Sequence, residues 1–85
     1  MVKTTETLVT FRKPFSLRSI DTRLPAGTYR LIIDEEEIDG LSFSAWRRLA
    51  TMLITPAVGM EDGNQQIFTI NQHELDVALK ADESP

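Results

Sequence analysis

The chain has 85 residues, 41% of them hydrophobic and 26% charged, with a formal net charge of −4 and no cysteine. A chain of that length builds one hydrophobic core and not two, and its composition is that of a globular domain rather than a disordered one. The lack of thiols excludes disulfides, thiolate zinc sites and a cysteine nucleophile.

Charge is unevenly spread. Residues 1–30 carry six Lys/Arg against two acids, and residues 31–85 carry eleven acids against three Lys/Arg. The halves, at +4 and −8, either lie against each other and partly neutralise or present two faces of opposite sign to partners. The first seven residues contain no apolar signal region, and no window approaches the roughly 18 apolar residues of a membrane span. A cytoplasmic protein with no membrane partner is expected. Its flexible ends are residues 1–6 and 81–85, its single domain is residues 7–80, and its radius of gyration is about 12 Å.

In chain order, residues 7–12 alternate Thr7, Val9 and Phe11 against Leu8, Thr10 and Arg12, which predicts a strand. Pro14 imposes a bend, after which Phe15 and Leu17 alternate with Ser16 and Arg18 in a second short strand. Pro25 and Gly27 form a turn that launches Thr28, Tyr29, Arg30, Leu31, Ile32 and Ile33. The Leu31-Ile32-Ile33 run points to both faces, so this strand is expected to be central and covered on both sides. Asp34-Glu35-Glu36-Glu37 follows directly, then Ile38 and an Asp39-Gly40 turn. Four consecutive carboxylates predict a solvated rim.

Leu41, Ser42 and Trp46 have the spacing of a helix N-terminus with a hydrophobic staple. Phe43, Trp46, Leu49, Ala50 and Leu53 then share an arc of about 120°, which predicts an amphipathic helix ended at Thr55 by Pro56. Residues 57–60 read as a weak strand and residues 65–70 as a stronger one, joined by a Glu61-Asp62-Gly63-Asn64 turn. Asn71 with Glu74 has the spacing of a capping box, and Leu75, Ala78 and Leu79 form the buried stripe of a closing helix. The expected fold class is α+β, in the order β-β-β-α-β-β-α. It is a small antiparallel sheet of four or five strands, twisted or partly closed, with two helices.

No motif for a cofactor, phosphate loop or nucleophile is present, which argues against an enzyme. The acidic run with Asp39 offers oxygens to a divalent cation or a carboxylate pair for catalysis. Alternate strand residues diverge, however, so a partner-facing acidic edge is the better reading and no metal or catalytic residue is assigned. His73 is the only histidine, and its phase, about 160° from Leu75, places it on the solvent face of the last helix. The candidate partner-binding residues are Asp34, Glu35, Glu36, Glu37 and Asp39, with Arg47, Arg48 and Met52 flanking the Trp46 segment. Met52, Ile54 and Val77 lie off the helical seams and suggest an exposed patch for a protein partner or for self-association. Arg12, Lys13, Arg18 and Arg30 form a basic set suited to nucleic-acid phosphates if they share one face.

The Leu24-Pro25-Ala26-Gly27-Thr28-Tyr29 stretch, the Glu35-Glu36-Glu37 run, and Leu41-Ser42-Phe43 leading to Trp46-Arg47-Arg48 and Ala50-Thr51 carry a resemblance. From about Val9 to Leu79 the chain resembles a group of small, uncharacterised alphaproteobacterial proteins of the rhizobial type. The resemblance implies a bacterial intracellular protein and transfers no functional residue. The expected function is that of a non-enzymatic accessory or protein-interaction domain. A small nucleic-acid-binding module is the alternative, and a metal-dependent enzyme comes third.

Overall fold

The computed structural model describes residues 1–40, 43, 45–60 and 63–84. The chain runs β1 (Val2–Phe11), β2 (Phe15–Leu17), β3 (Ile20–Leu24), β4 (Gly27–Glu37), β5 (Trp46–Thr55), β6 (Gln66–Ile70) and α1 (Gln72–Glu83). The expected cap at Ser42 with Leu41, the Glu61-Asp62 half of the predicted turn, and Pro85 fall outside the described residues.

Strand β4 is central, as its triple apolar run predicts. Its backbone needs partners along both edges, and it finds β1 on one side and β5 on the other in a four-stranded antiparallel sheet ordered β1-β4-β5-β6. This requirement overturns the predicted fold class. Among the described residues there are six strands and one helix, in place of four or five strands and two helices. The segment expected to be the Trp46 helix is β5.

Two physical reasons account for the difference. Central-strand pairing outweighs the modest helix propensity of Thr51, Ile54 and Thr55, which as β-branched residues fit a pleated surface well. A bulge between Asp34 and Glu35 also shifts the β4–β5 register, pairing Asp34 with Ala50 and Glu35 with Arg48. Leu49 is thus the extra residue. The inward positions of β5 become Trp46, Arg48, Thr51, Leu53 and Thr55, with the period of two broken between Arg48 and Thr51. Of the predicted helical seam only Leu53 is buried, while Phe43, Trp46 and Leu49 are exposed. The element ends at Thr55, as the strand β5 and not as the expected helix, and the Thr55–Pro56 peptide is cis.

The N-terminal strands also differ from a simple meander. After Pro14 the chain leaves the sheet, and β2 pairs with β3 as a separate hairpin. Residues 57–60 are not a strand: Val58 N–H donates to Thr28 O (2.7 Å) and Met60 N–H to Ala57 O (2.9 Å). Gly27 makes this turn possible, since a Cβ there would stand 2.8 Å from the Ala57 Cβ at a φ of +153°. The closing helix forms as its local signals predict. Asn71 Oδ1 accepts from His73 N–H (2.7 Å) and Glu74 Oε1 accepts from Asn71 N–H (3.2 Å), completing the capping box.

One face of the sheet carries the core. Because directly paired residues share a face, the registers place Val9, Phe11, Tyr29, Leu31, Ile33, Leu53, Phe68 and Ile70 together. The β2–β3 hairpin and α1 add Phe15, Leu17, Ile20, Leu24 and Leu75. Phe11 and Phe15 stack with ring centroids 3.6 Å apart, and Tyr29 meets both edge-on. Burying each such side chain contributes about 1.5–3 kcal/mol. The opposite face is not covered as expected of a strand buried on both sides. There Leu8 and Ile67 are exposed, Ile32 and Met52 half-buried, and Ile54 alone is buried.

The layered core occupies only one end of the sheet. Residues 2–6, 34–37 and 46–50 extend past it with no member in the buried cluster, and meet the start of α1 through the Arg48–Gln72 hydrogen bond. The radius of gyration, 14.6 Å, accordingly exceeds the expected value of about 12 Å, and the principal extents are 44 × 33 × 20 Å.

Candidate partner-binding site

The bare end of the sheet gathers most of the predicted partner-binding residues. Strand alternation divides them between two faces. On the inner face Lys3, Glu35 and Arg48 form one row across β1, β4 and β5, and Glu37 pairs with Trp46 at the strand ends. Lys3 Nζ lies 5.8 Å from the centroid of the Trp46 ring, within cation–π reach. Arg48 Nη1 donates to Gln72 Oε1 (2.6 Å) and Thr51 Oγ1 (3.1 Å), anchoring this row to the start of α1. Trp46 remains 38% exposed.

On the outer face the neighbouring residues are Asp34, Glu36, Arg47 and Met52. Thr4 Oγ1 donates to Asp34 Oδ1 (2.7 Å), and Arg47 Nη2 donates to Glu36 Oε1 (2.7 Å). An exposed ion pair of this kind contributes about 0–1 kcal/mol, so it sets charge pattern more than stability. Asp39 sits beyond both faces, in the exposed turn that follows β4, where Ile38 N–H donates to Ala45 O (2.9 Å). The acidic run is therefore half-buried within a paired strand and flanked by cations, rather than a free rim. Among the described residues no group of three or more His, Asp and Glu side chains is placed to hold a metal ion.

The basic set does not converge. Arg12 and Lys13 occupy the β1–β2 turn and are engaged by the end of α1. Arg18 lies in the β2–β3 turn beside the start of α1, and Arg30 is on the outer face of β4.

The anchor for the β1–β2 turn is Asp82, which sequence reasoning did not single out. It is 8% exposed and accepts from Arg12 N–H (2.9 and 3.0 Å) and Lys13 N–H (2.8 Å). The Arg12 guanidinium adds an ion contact at 3.6 Å and a hydrogen bond to Asp82 O, and Lys13 Nζ donates to Ser84 O. The hydrogen bond from Arg12 N–H, opposed by burial and helped by Lys13 N–H and the Arg12 charge, holds the Asp82 carboxyl below the ordinary aspartate value. An acid in the last turn of a helix opposes the macrodipole. That mismatch is the signal that donors outside the helix hold it.

At the other end of α1 a groove of about 500 Å³ is lined by Leu17, Arg18, His73, Glu74 and Val77. Burial raises the Glu74 carboxyl, but hydrogen bonds from Ser19, Asn71 and Arg18 outweigh it and hold the group below the ordinary glutamate value. The helix N-terminus is thus already satisfied by its own carboxylate.

No protein-family model, curated protein or solved structure matches this chain. Among the described residues no helix is long and apolar enough to cross a membrane.

Proposed function

We propose that this chain is a non-enzymatic protein-interaction domain that meets its partner through the inner face of the bare sheet end. The observation that carries the reading is Trp46. A large aromatic ring stands 38% exposed on a paired strand, with Lys3 over it and a Lys3–Glu35–Arg48 row beside it. Interfaces favour such a combination: an aromatic anchor and an arginine held by rigid elements, with charges that set orientation.

Affinity capture by wild type, Trp46→Ala and Glu35→Arg proteins from the same extract tests it. Retained thermal stability with loss of a stoichiometric protein partner in both variants is expected. Undiminished capture by both variants refutes the site.

A further inference from the structure

We infer that two copies of this chain pair antiparallel along the free edge of β1, about a two-fold axis at Thr5, to form one continuous sheet. This inference does not depend on what docks at Trp46.

Among the described residues, strand β1 pairs with β4 on one side and with no strand on the other. Glu37 N–H donates to Met1 O (3.0 Å), so odd-numbered residues of β1 direct their peptide groups to β4. The close side-chain bonds Thr4–Asp34 and Thr10–Thr28 (2.7 and 2.9 Å) fit the same phase, since pairs without backbone bonds approach more closely. The N–H and C=O groups of Val2, Thr4, Glu6, Leu8 and Thr10 therefore point outward. Water satisfies these groups singly, whereas an added extended strand pairs with the whole row at once.

The edge is only lightly protected. Edge strands are commonly blunted by proline, a bulge or charges. Strand β1 has no proline, keeps one register from Val2 through Phe11, turns its only lysine over Trp46, and carries Glu6 as its one other charge.

A second copy of the chain fits this edge better in one register than in those beside it. Two antiparallel copies related by a two-fold axis oppose only residues that share a face. With Glu6 on the axis two carboxylates stand opposite each other, which disfavours that register. With Thr4 or Thr7 on the axis, exposed apolar groups face Glu6. With Thr5 on the axis, Val2 of one copy faces Leu8 of the other twice over, Thr4 faces Glu6, and Lys3 faces Thr7. Val2 and Leu8 are 57% and 62% exposed in the single chain, so this register covers apolar surface and opposes no like charges. The outward groups of Val2, Thr4, Glu6 and Leu8 then exchange about eight hydrogen bonds. Because the copies run in opposite directions, the layered end of each lies alongside the bare end of the other.

Sedimentation and oxidative cross-linking test the inference. The wild type is expected to sediment as a dimer at concentrations on the order of 100 μM. The chain has no cysteine, so Thr5→Cys introduces a lone thiol that faces its own copy and cross-links on mild oxidation, whereas Thr7→Cys does not. Val2→Lys/Leu8→Lys, which alters only exposed side chains, weakens the dimer about tenfold or more. Val2→Lys/Leu8→Glu restores it by opposing unlike charges, and circular dichroism confirms the fold of each variant. A wild type that stays monomeric overturns the inference. So does a dimer that neither cross-links at Thr5→Cys nor responds to the charge pairs.

Discussion

Adjacent residues Leu53 and Met52 test whether β5 is a strand. In the register, Leu53 lies between Leu31 and Phe68 on the inner face, and Met52 lies between Ile32 and Thr69 on the outer face. Leu53 is fully buried and Met52 only partly. Leu53→Ala removes methyl groups from a packed layer and leaves a cavity, costing about 3–5 kcal/mol. Met52→Ala loses apolar area that is already partly wet, costing about 1 kcal/mol. A domain of this size has a total stability of about 4–13 kcal/mol, so the first change removes a large share of it. It lowers the melting midpoint by more than about 12 °C. Urea unfolding followed by far-UV circular dichroism, with a shared slope for both variants and wild type, measures the difference. A cost below about 1.5 kcal/mol for Leu53→Ala, or equal costs for both variants, refutes the strand register.

Tyr29 is fully buried, and its hydroxyl donates to Pro25 O at 2.6 Å. Tyr29→Phe is expected to cost about 1 kcal/mol by leaving that carbonyl without its donor, measurable by the same denaturation. Gly27→Ala drives a methyl group against Ala57 Cβ, 2.8 Å away, and is expected to cost about 1–3 kcal/mol in the same assay. Asp82 sets a pH dependence. Its folded carboxyl titrates below the ordinary value, so its contribution is complete above an unfolded pKa of about 3.9 and is lost as pH falls through the folded value. Wild type is expected to exceed Asp82→Asn in urea midpoint at pH 7, with the gap narrowing as the pH drops below about 4. A gap that stays constant into acid rules out the linkage.

What was legible in the sequence follows from how local each signal is. Helix α1 announces itself through Asn71 and Glu74, three positions apart, because capping involves only one turn of chain. Strands β4 and β6 were legible from compact β-branched and apolar runs. Strand β5 was not, because its inner face changes phase at Leu49 and the bulge depends on a partner that periodicity does not encode. Strand β3 was hidden because the polar residues Asp21, Thr22 and Arg23 separate its two buried ends, Ile20 and Leu24, and break any alternation. For the candidate site, the divergence of Asp34 and Glu36 from Glu35 and Glu37 was legible from strand alternation. That Arg47 and Arg48 oppose Glu36 and Glu35 was not, because it depends on cross-strand register.

The Asp82 clasp also bears on how the chain reaches this structure. It joins residues 70 positions apart, and β1 must wait for β4 before it has any partner in the sheet. Long-range closures of this kind raise the contact order and slow folding. During synthesis the β1 edge stays unpaired while the intervening chain emerges, and the β1–β2 turn is secured only when the last turn of α1 has left the ribosome. Of the described elements α1 therefore engages the N-terminal turn last, and loss of the Asp82 clasp is expected to speed unfolding and loosen that turn with little effect on the refolding rate.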